Sequence, residues 1–140
     1  MSKDNVDNHE IEQLLSSLDG FKDLGHEGII SITNLFEKSS YKMGEPVLVN
    51  TELPKTISFL INGEIRVFRP DNNKSGFKSL SIIGQPYIVG WSSILFNEVI
   101  EYISAATEIK LLTIKTQDFL NLLEKNKTLK HYFYSYYSYA

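Results

Sequence analysis

Apolar positions along this chain change their spacing twice. Ile11, Leu14, Leu15 and Leu18 recur at i, i+3, i+4 and i+7, the repeat of one helix face. Asn8 stands where a cap would start that helix and Asp19-Gly20 where it would stop, with the polar residues 1–8 read as a flexible lead. A second helix is predicted over 27–36, with Ile29, Ile32, Thr33 and Phe36 on one side. From 39 to 114 the spacing becomes that of short strands: 47–49, 56–61, 65–68, 77–83, 87–89, 100–105 and 109–114. Asn62-Gly63 is the sharpest hairpin signal, because a type I′ turn needs positive φ at both central residues. Residues 70–76 form a longer polar loop. Helical spacing returns at Thr116, placed to cap a helix bearing Phe119, Leu120, Leu122 and Leu123, with Asp118 near its positive end. Asn126-Lys127 interrupts it, and Thr128 opens a last segment, 129–140.

That order predicts one mainly β domain, a sandwich or roll with helices at both ends: helices over 9–36, a roll over 39–114 and helices over 116–140. A length of 140 residues suits a single core, and 42 % hydrophobic with 22 % charged residues is an ordinary globular balance. Net charge is −3 and the only arginines are Arg66 and Arg69, so the clustered basic face that nucleic acid requires is missing from the sequence. The absence of cysteine excludes disulfides, thiolate metal sites and cysteine nucleophiles. His9, His26 and His131 all lie outside the strand region, which argues against a histidine metal centre inside the roll. No nucleophile elbow or phosphate-cradling Gly-Lys loop occurs. Glu98 and Glu101 lie in a loop running into a strand and read as a solvated edge. The chain is therefore expected to be non-catalytic, without metal or cofactor. Apolar runs are only a few residues long and the N-terminus is polar, so no membrane insertion is expected and a cytoplasmic setting is the default.

Several ordered pieces carry a resemblance. Tyr41-Lys42-Met43-Gly44-Glu45 opens the strands, and the apolar segment 59–68 bends at Gly63. Ile83-Gly84 is followed by Gly90, and the closing strand 105–114 precedes Asp118-Phe119-Leu120. In this order and spacing the chain resembles the cyclic nucleotide-binding domain family from about Leu14 onward. The resemblance implies a β-roll, with a phosphate-binding cassette between the second glycine and the closing strand. In that family a short helix, here readable as residues 91–96, faces the cyclic phosphate, an arginine forks onto the phosphate oxygens, and a glutamate after the glycine accepts from the ribose hydroxyl. Trp91 stands at the glutamate position, the arginine position falls at about Val99 or Ile100, and no arginine follows Arg69. Loss of the bidentate contact is worth roughly 2–5 kcal/mol, or about 30- to 4,000-fold in affinity. The cassette residues Gly84, Gly90, Trp91, Ser92 and Ser93 are thus read as a vestigial ligand site. Trp91 is expected to be a plug or core residue, Ser92 and Ser93 helix caps, and Gly84 and Gly90 turn residues needing positive φ or close backbone approach.

A narrower likeness lies in Leu53-Pro54, the 60–66 segment, Val89-Gly90-Trp91-Ser92-Ser93-Ile94-Leu95 and Glu101 before Ser104-Ala105. These residues resemble the N-terminal domain of cyanobacterial type I secretion exporters for toxins or bacteriocins. That likeness implies a regulatory or docking module on the cytoplasmic side, ahead of the membrane part of a longer chain. The aromatic tail, with six aromatic residues over 132–139, offers Leu129, Tyr132, Phe133, Tyr136 and Tyr137 on one helical face. It is read as a contact surface for a second copy or for the rest of an exporter; the alternative is that it packs back onto the roll. A sensor of a cyclic nucleotide or another small ligand, alone or within a transcription regulator, stays open as the competing function.

Overall fold

The computed structural model describes residues 2–49, 52–70, 77–99 and 101–135, with side chains described over 8–49, 52–68, 81–99 and 101–135. Helix α1 (Ser2–Ser17) and helix α2 (Gly25–Ile32) lead into eight strands: β1 (Phe36–Tyr41), β2 (Pro46–Leu48), β3 (Thr56–Asn62), β4 (Ile65–Pro70), β5 (Phe77–Ile83), β6 (Ile88–Val89), β7 (Tyr102–Ala105) and β8 (Ile109–Lys115). Helix α3 (Trp91–Phe96) interrupts the strands, and α4 (Thr116–Lys125) and α5 (Lys127–Ser135) follow them. All strand pairs are antiparallel, in two four-stranded sheets ordered β1-β8-β3-β6 and β2-β7-β4-β5. The mainly β architecture with helices at both ends is the one the spacing predicts.

Several local expectations are corrected. Asn8 lies inside α1 and does not cap it. The second helix ends at Ile32, a short 3₁₀ turn follows over Thr33–Leu35, and Phe36 starts β1. Its predicted buried side is nonetheless right, since Ile29, Ile32, Thr33 and Phe36 are all buried. Asn62-Gly63 does not close a hairpin, because β3 and β4 belong to different sheets. Of the two residues only Gly63 has positive φ, +93°, so the type I′ geometry is not formed and the chain instead turns a corner between sheets. Thr116 does not cap α4; its hydroxyl donates to the Pro54 carbonyl at 2.9 Å, and Lys115 is the cap residue. Asn126, not Thr128, opens the last helix, its Oδ1 accepting from the Leu129 amide at 3.0 Å.

Two cores result, one on each face of the β1-β8-β3-β6 sheet. Between the sheets lie Leu60, Ile65, Val67, Val89, Ile103, Ala105, Ile109 and Leu111. On the opposite face the helices cover Ile57, Phe59, Leu112 and Ile114 with residues such as Leu15, Phe21, Ile29, Phe119 and Phe133. This explains why β3 and β8 read as nearly continuous apolar runs: a strand covered on both faces has no polar side to alternate with. The sheet's inner face also carries a row of hydroxyls, Ser39 to Thr113 at 3.0 Å and Thr113 to Ser58 at 2.8 Å, which satisfy one another.

Candidate functional site

The segment between β6 and β7 contains the cassette positions Gly90, Trp91, Ser92 and Ser93, while Gly84 lies before β6. Gly90 enters α3 with φ +92°, and a Cβ there would lie 3.0 Å from the Thr56 carbonyl oxygen, so both backbone and space call for glycine. Gly84 differs from expectation. It has no positive φ, and a Cβ would meet only the Gly63 oxygen at 3.9 Å, an ordinary contact.

Trp91 is fully buried, but in the helical layer and not between the sheets. Its indole N–H donates to the Phe133 carbonyl at 2.8 Å, and its ring meets Phe119 at 5.2 Å and Tyr134 at 5.5 Å in edge contacts. The core reading of Trp91 therefore holds, while the picture of a plug in the roll interior does not. Ser92 is buried with an unpartnered hydroxyl, so it does not cap α3; the cap position is Gly90, which has no side chain to offer. Ser93 is fully buried as well.

The expected contact face divides. Leu129 and Phe133 are buried in this chain's own core, and Phe133 stacks within 5.2–6.0 Å of Phe21, Phe59 and Phe119. These two residues are thus not available to a partner, because the outer face of the sheet needs a cover and α5 supplies it. Tyr132 is half-buried against the same cluster, Tyr134 is exposed, and Tyr136 and Tyr137 lie outside the described residues. Among the described residues no three His, Cys, Asp or Glu side chains converge as a metal site. No helix of the described residues is long and apolar enough to cross a membrane.

Glu101 is the residue that sequence reasoning missed. Taken for a solvated edge, it is fully buried. It precedes β7, where Ile103 and Ala105 face the roll interior while Tyr102 and Ser104 are half-buried, and the period of two puts residue 101 on the inner side. Tyr87, packed against the same interior cluster, donates its hydroxyl to Glu101 Oε2 at 2.5 Å. Oε1 has no partner. A carboxyl group thus stands in the roll interior, bonded through one oxygen. Arg66, between inward Ile65 and Val67 on β4, lies on the opposite face of its sheet and does not meet this acid.

The sequence profile of the cyclic nucleotide-binding domain matches residues 38–126, and the chain belongs to that family. The regulatory subunit of a cAMP-independent protein kinase A from Trypanosoma cruzi, bound to guanosine, is similar in structure. Its TM-score is 0.79 at 14 % identity, over 96 % of this chain and 49 % of that one. The regulatory domain of Toxoplasma gondii protein kinase A with cAMP gives 0.82 at 9 % identity, over 99 % and 52 %. The sensor domain of the transcriptional regulator DNR from Pseudomonas aeruginosa gives 0.74 at 17 %, over 94 % and 88 %. This chain spans about half the length of the first two. Among curated protein sequences, none matches it. The fold is that of a cyclic nucleotide-binding domain.

Proposed function

We propose that this chain is a non-catalytic regulatory or docking module that has kept the cyclic nucleotide-binding shape without its phosphate chemistry. The carrying observation is Trp91. At the position where the family has a glutamate for the ribose hydroxyl, an indole is turned away into the helical layer and bonded to Phe133. The sequence supplies no arginine after Arg69 to fork onto a phosphate, and a buried acid, Glu101, follows the arginine position. A cyclic phosphate brought to this cassette would find no arginine fork to compensate its charge. Support for an exporter setting, on the cytoplasmic side of a secretion machine, comes from the sequence likeness over residues 53–54, 60–66 and 89–95 and at Glu101 before Ser104-Ala105.

Calorimetric titration with cAMP and cGMP tests the first part. No saturable heat is expected up to millimolar nucleotide, and micromolar binding of either would overturn it. The exporter setting is tested by reading the gene around this segment; an uninterrupted frame lacking membrane spans and nucleotide-hydrolysing motifs would remove it.

A second reading, a sensor for a ligand without a phosphate, is favoured by a specific observation, the orphaned oxygen of Glu101.

A further inference from the structure

The geometry points to a binding site for a small organic monoanion, a carboxylate on a short apolar body, in the cleft between helix α1 and the uncovered end of the β1-β8-β3 sheet face. The site goes beyond the reading above and uses none of the cassette residues.

The register of the sheet builds it. On the face turned to the helices, Phe36, Ile114 and Ile57 form one row and Leu112 and Phe59 the next, and all five are buried under the helical layer. Two residues further along, β8 presents Lys110 to that same face, paired with Ser40 on β1 and Asn62 on β3. The helical cover ends there, and all three side chains are exposed. Lys38, the β1 partner of Leu112, stands diagonal to Lys110. Glu10 and Leu14 of α1 wall this end of the sheet, leaving a cleft of about 520 Å³ lined also by both lysines, Ser40, Ile61 and Asn62. That volume is ordinary for a small-molecule site.

Charge decides what the cleft takes. Lys38 Nζ is held by Glu10 Oε2 at 2.6 Å. Lys110 makes no ion pair among the described residues, and the side chains of Ser40 and Asn62 make no hydrogen bond among them. Two lysines against one glutamate leave the lining one positive charge in excess, which matches a monoanion. An ammonium brings a point charge with three donors, and the neighbouring hydroxyl and amide add theirs for the oxygens of a carboxylate. The two lysines repel across the face; Glu10 relieves one, and an incoming carboxylate relieves the other. Leu14 and Ile61, both half-buried, give the apolar body of the ligand a surface to cover.

The test is calorimetric titration of the purified chain at constant low ionic strength with benzoate, with benzamide as its neutral isostere and sulfate as a dianion, beside amide NMR spectra. Saturable benzoate binding is expected, with benzamide at least about tenfold weaker, the factor that one charge-assisted hydrogen bond carries. Amide shifts should centre on Ser40, Asn62 and Lys110. Lys110→Gln, at an exposed position, is expected to weaken benzoate about tenfold while leaving the urea midpoint unchanged. Glu10→Gln frees Lys38 and should strengthen benzoate by about threefold, a gain that a merely structural role for α1 would not produce. No saturable benzoate binding, equal binding of benzamide, or tighter binding of sulfate than of benzoate overturns the inference. So do shifts centred on residues 91–96, an unchanged affinity in Lys110→Gln, or a weakened one in Glu10→Gln. Each of these leaves the loss of phosphate chemistry in the cassette to be judged separately, by the cAMP and cGMP titrations.

Discussion

Trp91 and Phe133 are joined by a 2.8 Å hydrogen bond from indole nitrogen to backbone carbonyl, so the cassette helix and the last helix are tied through a fully buried contact. The bond fixes α5 by its backbone while the Phe133 ring fills the aromatic cluster beneath it.

Replacing Trp91 by Phe leaves that carbonyl without its donor in a dry site. A loss of about 1–3 kcal/mol of stability is expected, and about 3–5 kcal/mol for Trp91→Ala, where a large cavity is added. Urea unfolding measures both, and a Phe variant as stable as the parent would show the bond contributes nothing.

Phe133→Ala and Leu129→Ala are expected to cost about 3–5 and 2–5 kcal/mol, because both side chains are core. Tyr134→Ala, at an exposed position, should cost under about 1 kcal/mol. Equal small effects at all three positions would mean that α5 is not held on the sheet as described.

How much of this was legible follows from particular residues. The pair Leu129 and Phe133 announces an apolar helix face, but an amphipathic stripe looks the same whether its own sheet or another molecule covers it. Asn62-Gly63 announces a sharp bend. It does not say which strands pair on either side, since that is set by partners far along the chain. Glu101 was within reach: stepping by two from Ile103 and Ala105 places it inward. What concealed it was residue type, because glutamate is almost never fully buried. The strand pattern, by contrast, was plain, as short β-branched segments between turn residues are a local property.

Two of the glycines with positive φ, Gly44 and Gly63, separate strain from clash. At Gly44, φ is +87° and a Cβ would meet nothing within 4 Å. At Gly63, φ is +93° and the Cβ would sit 2.4 Å from the Glu108 carbonyl oxygen. Gly44→Ala is expected to cost about 1 kcal/mol, the price of the left-handed backbone alone. Gly63→Ala should cost clearly more, about 2 kcal/mol or beyond, since the corner must also shift. Thermal denaturation of the two variants decides the order.

Tyr87→Phe and Glu101→Gln attack one hydrogen bond from opposite ends. Tyr87→Phe leaves the buried carboxyl of Glu101 without its hydrogen-bond partner and is expected to destabilise by about 1–3 kcal/mol. Glu101→Gln keeps an acceptor for Tyr87 and should cost less. The reverse order in urea unfolding would show that the Tyr87 hydroxyl does not hold residue 101 in place.

The sheet that carries β3 and β8 has different neighbours on its two sides, and successive residues of one strand serve different masters. Ile57 and Phe59 belong to the helical layer, Ser58 and Leu60 to the roll interior. A mutation at one position is thus screened from the other layer by a wall of backbone. Lineages carrying this domain can rewrite the interior, residue by residue, without renegotiating the helices, and the helices without touching whatever the interior holds.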